Sequence, residues 1–303
     1  MPDIKRILCP VDFSDASTHA VEQAIALAGW YKAAITALHV FSPLYVTVPE
    51  LPVPAEMVPP ADLLQARGKT IACFRAATDA QIGVDVIVDV GQPARQILER
   101  AASLPADLIV MGTHGASGFE HLVLGSVAEK VLRKAVCAVV TVPPRARATS
   151  TLPFARLLCA VDFSDPSTAA VQAAASLAQE SGAALTLMHV LEWPWDEPPA
   201  PNPADLSPSQ AAALAEYRRY VEKSADMRLK ALVPDVLRDR GRFAVRIVNG
   251  KSYTEILRVA AEERADLIVM GVHGRNAIDM MLFGSTTSQV VRRATCPVMT
   301  LRT

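Results

Sequence analysis

Two runs of glycine and hydroxyl residues have the residue types and the spacing that a phosphate-binding loop needs. In each run a glycine is followed after two residues by a second glycine, and after nine more residues by a Gly-Ser pair. Glycine lets backbone N–H groups approach a ligand closely, and the helical pattern after each Gly-Ser pair predicts a helix N-terminus there. Strand-to-helix turns also use glycine, but one spacing repeated around dissimilar residues indicates a shared anion-binding or nucleotide-binding geometry. The residues are Gly112, Gly115, Gly125 and Ser126 in the first run, and Gly271, Gly274, Gly284 and Ser285 in the second.

These loops belong to a repeat that divides the chain of 303 residues into two halves. The segment ILCPVDFSDAST recurs as LLCAVDFSDPST 150 residues later, and ADLIVMGTHG recurs as ADLIVMGVHG 159 residues later. A stretch rich in Pro, Arg and Ala joins the two copies. We therefore expect two domains of similar fold, residues 1–146 and 153–303.

Each half alternates apolar, β-branched runs with helical patterns, which is typical of a parallel sheet covered by helices. A helix follows the first strand, with Ser14 or Asp15 as its N-cap, and its copy has Pro166 in the first turn. The predicted fold class is α/β, with two tandem Rossmann-like domains that each contain a five-stranded parallel sheet flanked by helices. The strands of the first half are predicted at residues 7–11, 34–40, 84–90, 107–111 and 138–142.

Proline-rich segments follow the second strand of each half. Residues 43–60 and residues 194–208 contain six prolines each. Because proline is excluded from helix and sheet interiors, these segments are expected to be extended loops at the carboxyl edge of the sheet, where ligands bind in open α/β folds. Two interpretations stay open, a surface loop that leads into the next helix and a lid or docking strip.

The chain resembles a tandem universal stress protein over nearly all of its length outside the proline-rich segments. The resemblance rests on the glycine loops, on the repeated VDFSD segment and on the His-Val pair of the second strand. It implies a strand order of 3-2-1-4-5, which brings the ends of strands 1 and 4 together. It further implies ATP or ADP as the ligand, with Mg²⁺ entering only through the phosphates. The adenosine part would be held by Asp12 and the Val40 backbone in the first half, and by Asp162 and Val190 in the second.

The same resemblance assigns the ribose and the phosphates to the glycine loops and to Ser126 or Ser285. The family commonly carries a basic residue directly after the second loop glycine, where the second half has Arg275 and the first half has Ala116. Lys251 adds another positive charge to the second half. We therefore expect the second site to bind nucleotide more tightly than the first.

Several of these residues also have a purely structural interpretation. Asp12 and its copy can cap the helix that follows, although Ser14 is better placed for that role. Ser126 begins the sequence Ser-Val-Ala-Glu129, a capping-box pattern in which both side chains satisfy the N–H groups of the helix itself. The corresponding hydroxyls of the second half, which lack that glutamate and are freer to meet a phosphate, are Ser285, Thr286 and Thr287.

The histidines and cysteines do not indicate a metal site or a nucleophile. His39 and His189 recur on the second strand, and His114 and His273 recur in the glycine loop, but no His, Asp or Glu pair has the spacing of zinc ligands. We expect these histidines to orient the loops by hydrogen bonds. Cys9 and its copy lie in central strands and are interpreted as small core residues. No catalytic residue and no metal site is predicted.

Composition restricts the partners and the location. The 30 basic and 31 acidic residues leave a net charge of −1, which argues against nucleic acid as a partner. The longest apolar stretch is interrupted by charges, so we expect no membrane insertion. The N-terminal sequence has no leader pattern and the five cysteines do not resemble a disulfide framework, so we expect a cytoplasmic location. The two halves are expected to form a pseudo-dimer through their last strands, residues 138–142 and 297–301, with a further homodimer as an option.

Two classes of function remain, a nucleotide-binding module and a weak ATPase or adenylate-handling enzyme. The glycine loops carry no Walker A lysine, and the first half has few basic residues near them to stabilise a transferring phosphoryl group. We therefore predict an ATP-binding regulatory module of the stress response that hydrolyses ATP slowly at most.

Overall fold

The computed structural model is organised around one continuous sheet, which has ten strands within the described residues. Those residues are 4–42, 58–113, 124–144, 152, 154–193, 207–233, 242–272 and 284–302. The strands are β1 (Arg6–Val11), β2 (Ala34–Phe41), β3 (Val84–Val90), β4 (Leu108–Gly112), β5 (Ala138–Val142), β6 (Arg156–Ala160), β7 (Ala184–Leu191), β8 (Phe243–Asn249), β9 (Leu267–Gly271) and β10 (Val298–Leu301).

Helices cover both faces of this sheet. In the described part of the chain they are α1 (Asp15–Tyr31), α2 (Pro60–Cys73), α3 (Arg75–Asp79), α4 (Pro93–Ser103), α5 (Ser126–Lys134), α6 (Asp165–Ser181), α7 (Pro208–Leu232), α8 (Ser252–Glu262) and α9 (Ser285–Arg293). The last proline of each proline-rich segment is the first residue of a helix, Pro60 of α2 and Pro208 of α7. Proline is tolerated in the first turn of a helix. Residues 43–57 and 194–206 of those segments lie outside the described residues.

The strand order is β3-β2-β1-β4-β5-β10-β9-β6-β7-β8. Within each half the strands are parallel and follow the order 3-2-1-4-5. The predicted fold class, two Rossmann-like α/β halves, is therefore confirmed. In such an order the chain leaves the sheet in opposite directions after strands 1 and 4, which opens a crevice between their carboxyl ends.

The two halves are joined at the middle of the sheet by an antiparallel pair of strands. Strand β10 pairs with β5, with Met299 opposite Val140. Two buried threonine hydroxyls add to this ladder, because Thr141 Oγ1 donates to the Val298 carbonyl at 3.2 Å and Thr300 Oγ1 donates to the Val139 carbonyl at 3.3 Å. The strand edges that would otherwise be open to another chain are thus hydrogen-bonded to each other.

Two apolar cores hold the layers together, one on each face of the sheet. The first core packs α1, α3, α6 and α7 against the sheet, and Cys9 and Cys159 are fully buried in it, as expected for small core residues. The second core packs α4, α5, α8 and α9 against the other face. Each core contains residues of both halves, so burial of apolar surface stabilises the halves together.

The helix after the first strand of each half begins as the sequence indicates. Ser14 is the N-cap of α1 and its side chain accepts a hydrogen bond from the Ser17 N–H, and Ser164 does the same for α6. Such a cap is worth about 1 kcal/mol. Pro166 occupies the first turn of α6, where its missing N–H costs nothing. These caps fix the point at which the chain turns away from the sheet.

Candidate functional site

A cleft of about 780 Å³, its open mouth included, lies at the carboxyl ends of β1 and β4. Its position is the switch point of the first half, where open α/β sheets bind ligands. Five residues that the sequence assigned to the first site line it, namely Asp12, Val40, Gly112, Gly125 and Ser126. Apolar residues that the sequence analysis did not single out complete the wall, namely Leu38, Pro93, Ile97, Met111 and Val127. Their types match ordinary core residues, so the pattern alone carries no signal for them.

The second half puts the equivalent residues on equivalent elements. Asp162 follows β6, Val190 lies in β7, and Gly271 ends β9. Gly284 is the N-cap of α9 and Ser285 is its first residue. Gly115, Gly274 and Arg275, together with His114 and His273, lie outside the described residues.

Each site aspartate organises the turn between its strand and the next helix. Asp12 Oδ1 accepts a hydrogen bond from Ser14 N at 3.1 Å and another from Ser14 Oγ at 2.6 Å. Asp162 Oδ1 accepts the same two bonds from Ser164, at 3.0 Å and 2.5 Å. The serine therefore caps the helix, which confirms the sequence-based interpretation. The aspartate accepts hydrogen bonds from that serine and so fixes its position.

The glycines at the ends of β4 and β9 are required by close packing. A Cβ atom on Gly112 would lie 2.9 Å from the Cβ of Ala16 in α1, and one on Gly271 would lie 2.8 Å from the Cβ of Pro166 in α6. Neither distance is possible without movement of the helix. These two glycines let the first turn of the helix approach the strand end. In the first half, the aspartate turn and the described ends of the glycine loop thereby line the same cleft.

The start of α5 corrects the capping-box interpretation. Gly125 is the N-cap, Ser126 is already the first helical residue, and no side chain caps the helix. The predicted reciprocal bonds between Ser126 and Glu129 would require Ser126 at the N-cap, one position earlier in the helix, so that interpretation is wrong. Helix α9 starts in the same way at Gly284. The first N–H groups of a helix lack intrahelical acceptors, so both helix starts offer donors toward a ligand.

The three hydroxyls at the start of α9 are not equivalent, which is a second correction. Thr287 is only 3% exposed and donates from Oγ1 to the Gly271 carbonyl at 3.0 Å, so it stabilises the strand end and is not free for a phosphate. Ser285 is exposed and Thr286 is half-buried. Those two hydroxyls remain available beside the helix N-terminus.

Two phenylalanines that were not predicted as functional residues directly follow the site aspartates. Phe13 and Phe163, the central residues of the VDFSD segments, have φ angles of 65° and 64°. A bulky residue in this left-handed region is a genuine outlier. The signal was present in the sequence, because an aromatic residue in the turn next to the site aspartate is repeated in both halves.

His39, His189 and Cys9 have the structural roles that the sequence predicts for them. His39 Nδ1 donates to the Val11 carbonyl at 2.9 Å, and His189 Nδ1 donates to the Val161 carbonyl at 2.6 Å, so both orient a strand end by a hydrogen bond. No group of three His, Cys, Asp or Glu residues suited to a metal ion occurs there. Burial raises the pKa of the Cys9 thiol, which keeps it protonated and unreactive.

Both halves of the chain match one known protein family. A sequence profile of the universal stress protein family matches residues 3–143 and again residues 153–302. The chain belongs to the universal stress protein family. The two matches make it a tandem member, with one family unit in each half.

Other universal stress proteins are similar to the chain in sequence, and one solved structure has the same fold. A universal stress protein of Mycolicibacterium smegmatis is 29% identical over 98% of this chain and 96% of its own length. One of Methanocaldococcus jannaschii is 36% identical over 46% of this chain and 81% of its own length. The crystal structure of a universal stress protein from Archaeoglobus fulgidus has the same fold, with a TM-score of 0.71, 24% identity and coverage of 98% of this chain and 96% of that one. Within the described residues, no helix combines the length and the apolarity needed to cross a membrane.

Proposed function

We propose that this universal stress protein is a regulatory module of the stress response that binds ATP or ADP in each half. The observation that carries the proposal is the cleft at the switch point, which has an uncapped helix start, a carboxylate and an apolar wall around one space. A helix start suits phosphates, the apolar wall suits a purine, and the carboxylate suits a ribose hydroxyl or the purine amine.

The roles of the individual residues follow the same division. The adenosine part would contact one aspartate and the backbone of one valine per half, and the phosphates would contact the glycine loop and the hydroxyls at the helix start. Mg²⁺ would enter only through the phosphates. The proposed contact residues are Asp12, Val40, Gly112, Gly115, Gly125 and Ser126 in the first half, and Asp162, Val190, Gly271, Gly274, Arg275, Gly284, Ser285 and Thr286 in the second.

The first cleft supports binding more than turnover. Among the described residues that line it, no side chain is basic. Phosphoryl transfer normally requires cationic groups that stabilise the transferring phosphate. We therefore expect slow ATP hydrolysis at most, and the output of the module would be a conformational or assembly state.

The assembly we propose is an intramolecular pseudo-dimer of domains 1–146 and 153–303 in the cytoplasm, with a further homodimer as an option. The antiparallel pairing of β5 with β10 supports the pseudo-dimer. Since both apolar cores contain residues of both halves, a structural change at one site can reach the other through shared packing.

The test begins with the ligand that the protein itself selects. Purified protein is denatured and the released small molecules are identified by mass spectrometry, and ligand-free protein is then titrated calorimetrically with ATP and with ADP. We expect an adenine nucleotide in the released fraction and binding of both. Phosphate release at about one turnover per second or faster would instead favour the enzyme.

A pair of matched variants localises the binding. The double variant Asp12→Asn, Asp162→Asn keeps the side-chain oxygens that accept hydrogen bonds from the serines but removes the negative charges of the carboxylates. It should lower nucleotide affinity about tenfold or more at each site. Asp15→Asn with Asp165→Asn changes the neighbouring exposed carboxylates of the helix first turns and should leave affinity unchanged. If wild-type protein binds no adenine nucleotide, or if the first pair of substitutions has no effect, the proposal is wrong.

A further inference from the structure

Beside each site aspartate, a phenyl ring contacts an imidazole ring and has a cation over its face. The planes of the two rings are tilted by 32° in the first half and by 47° in the second. In the first half, the ring centroids of Phe13 and His39 are 4.6 Å apart and Lys69 Nζ lies 6.0 Å from the Phe13 centroid. In the second half, Phe163 and His189 are also 4.6 Å apart, and Arg228 Cζ lies 3.8 Å from the Phe163 centroid. We call each set of three side chains a ring stack.

The ring stack accounts for the unusual backbone of the phenylalanine. The φ angles of 65° and 64° place Phe13 and Phe163 in a region that non-glycine residues rarely occupy. Such a conformation persists only when surrounding contacts hold it. Contacts of the phenyl ring with an imidazole on one element and a cation on another are contacts of that kind.

The histidine contacts both chain neighbours of the site aspartate. Its ring packs on the phenylalanine that follows the aspartate, and its Nδ1 bonds to the carbonyl of the valine that precedes it. Because a carbonyl oxygen can only accept, Nδ1 must carry the proton. Val11 and His39 are direct neighbours in the ladder between β1 and β2, so the side chain bonds across a strand end.

Each ring stack also connects three elements. The histidine comes from β2 or β7, the phenylalanine from the turn after β1 or β6, and the cation from α2 or α7. Lys69 and Arg228 thus tie the long helix after the proline-rich segment to the turn that carries the aspartate.

We propose that His39 and His189 are positioning residues for the nucleotide sites. The hydrogen bond from Nδ1 to the valine carbonyl holds the carboxylate of Asp12 or Asp162 at the cleft, and the ring stack holds the phenylalanine that follows that aspartate. This inference rests on the proposed function for its ligand. It predicts that nucleotide affinity depends on the Nδ1 hydrogen bond, whereas a histidine that only fills space would be replaceable by any side chain of similar bulk.

Substitutions at His189 separate the two roles. In His189→Asn, the amide nitrogen takes the place of Nδ1 and can still donate to the Val161 carbonyl, whereas His189→Leu keeps apolar bulk and has no donor. We expect His189→Leu to lower nucleotide affinity at the second site about tenfold and His189→Asn to keep it within about threefold. The same pair at His39 should affect the first site only. Wild-type affinity in His189→Leu, or equal losses in both variants, would overturn the proposal.

A measurement without nucleotide keeps the test independent of the proposed function and of the folding of His189→Leu. Nitrogen NMR of the histidine side chains in the ligand-free wild-type protein should show the neutral imidazole of His189 protonated at Nδ1. A proton on Nε2 would contradict the proposal. The backbone amide of Asp162 should also shift in His189→Leu and remain near its wild-type position in His189→Asn. If this pattern is found in a protein that binds no nucleotide, the positioning role stands and only the proposed ligand is wrong.

Discussion

The hydroxyl of Tyr31, at the end of α1, donates a 2.8 Å hydrogen bond to Oε2 of Glu180, near the end of α6. These residues belong to different halves and are 149 positions apart in the chain. Burial, and then the bond to Glu180, raise the pKa of Tyr31, so the hydroxyl stays protonated and available as a donor. The halves therefore meet through their first helices as well as through β5 and β10.

This contact predicts a measurable energetic coupling between the halves. In a double-mutant cycle, Tyr31→Phe and Glu180→Ala should show a coupling free energy of about 0.5–1.5 kcal/mol in chemical unfolding. Tyr220→Phe is a suitable control, because Tyr220 is 70% exposed, and should change the free energy of unfolding by less than about 0.5 kcal/mol. Additive effects of the first two substitutions would show that the bond does not couple the halves.

The glycine at the end of β4 should be intolerant of any side chain. In Gly112→Ala, the new Cβ would lie 2.9 Å from both the Cβ and the backbone carbon of Ala16, so we expect a loss of about 1–3 kcal/mol in the free energy of unfolding. Gly68→Ala is the matched control, because Gly68 lies within α2 with nothing within 4 Å of the new Cβ, and should stabilise by about 0.5–1 kcal/mol. Thermal unfolding of both variants decides this, and equal effects would contradict the packing argument.

Stability should fall in alkaline solution because of buried thiols. Burial raises the pKa of Cys137 to about 11 and that of Cys296 to about 12, from an ordinary value of 9.0. Above pH 9 the unfolded chain loses these protons while the folded protein keeps them, so the stabilisation is complete below pH 9 and declines as pH rises toward 11 and 12. Cys296→Ala should reduce the slope of the unfolding free energy against pH between 9 and 11. Parallel slopes for the variant and the wild-type protein would refute this account.

The two sites should differ in affinity for phosphates. The first turn of α5 carries Glu129, whereas that of α9 carries no acidic residue and has Ser288 at the corresponding position. Lys251, at the start of α8, lies 5.6 Å above the ring of Tyr253, and Gln92 is its counterpart in the first half. A carboxylate beside a phosphate repels it and a lysine attracts it, so we expect the second site to bind ATP about tenfold more tightly.

Separate variants of the two halves test this asymmetry. Asp162→Ala should remove the tighter of two binding events in a calorimetric titration, and Asp12→Ala the weaker one. Glu129→Ser should strengthen the weaker event, with a larger gain at low salt than at high salt. If Asp12→Ala removes the tighter event, the argument from charge is wrong.

The secondary structure could be predicted because its signals lie in short segments and are repeated. Strand β1 was expected at residues 7–11 and spans Arg6–Val11, and β5 was expected at residues 138–142 and spans Ala138–Val142. Alternation of apolar runs and helical patterns depends on neighbouring residues only, so the sequence contains it directly. The strand order came from the resemblance to the universal stress protein family, not from periodicity.

The choice among competing hydrogen-bond partners could not be predicted in the same way. Ser126 has a capping-box sequence, yet the helix begins with Gly125 as its N-cap, and Thr287 is a hydroxyl beside the loop, yet it donates to the carbonyl of Gly271. Each side chain has several partners that the sequence allows. For Ser126 the partner depends on the residue at which the helix begins, and for Thr287 it depends on how close the strand end lies. Both are properties of the folded chain and cannot be obtained from the sequence.

By itself, the sequence determined that there are two α/β halves, because local periodicity and a repeated motif specify them. The family resemblance, not periodicity, indicated which strand ends carry the candidate nucleotide site. Tertiary structure alone decided how that site is held. His39 bonds to the Val11 carbonyl and Tyr31 bonds to Glu180, and in each pair the residues meet only because separate elements pack together. The positive φ of Phe13 likewise depends on contacts with other elements. The left-handed conformation of Phe13 is unfavourable in isolation and becomes stable in the folded protein because side chains of two other elements contact the phenyl ring.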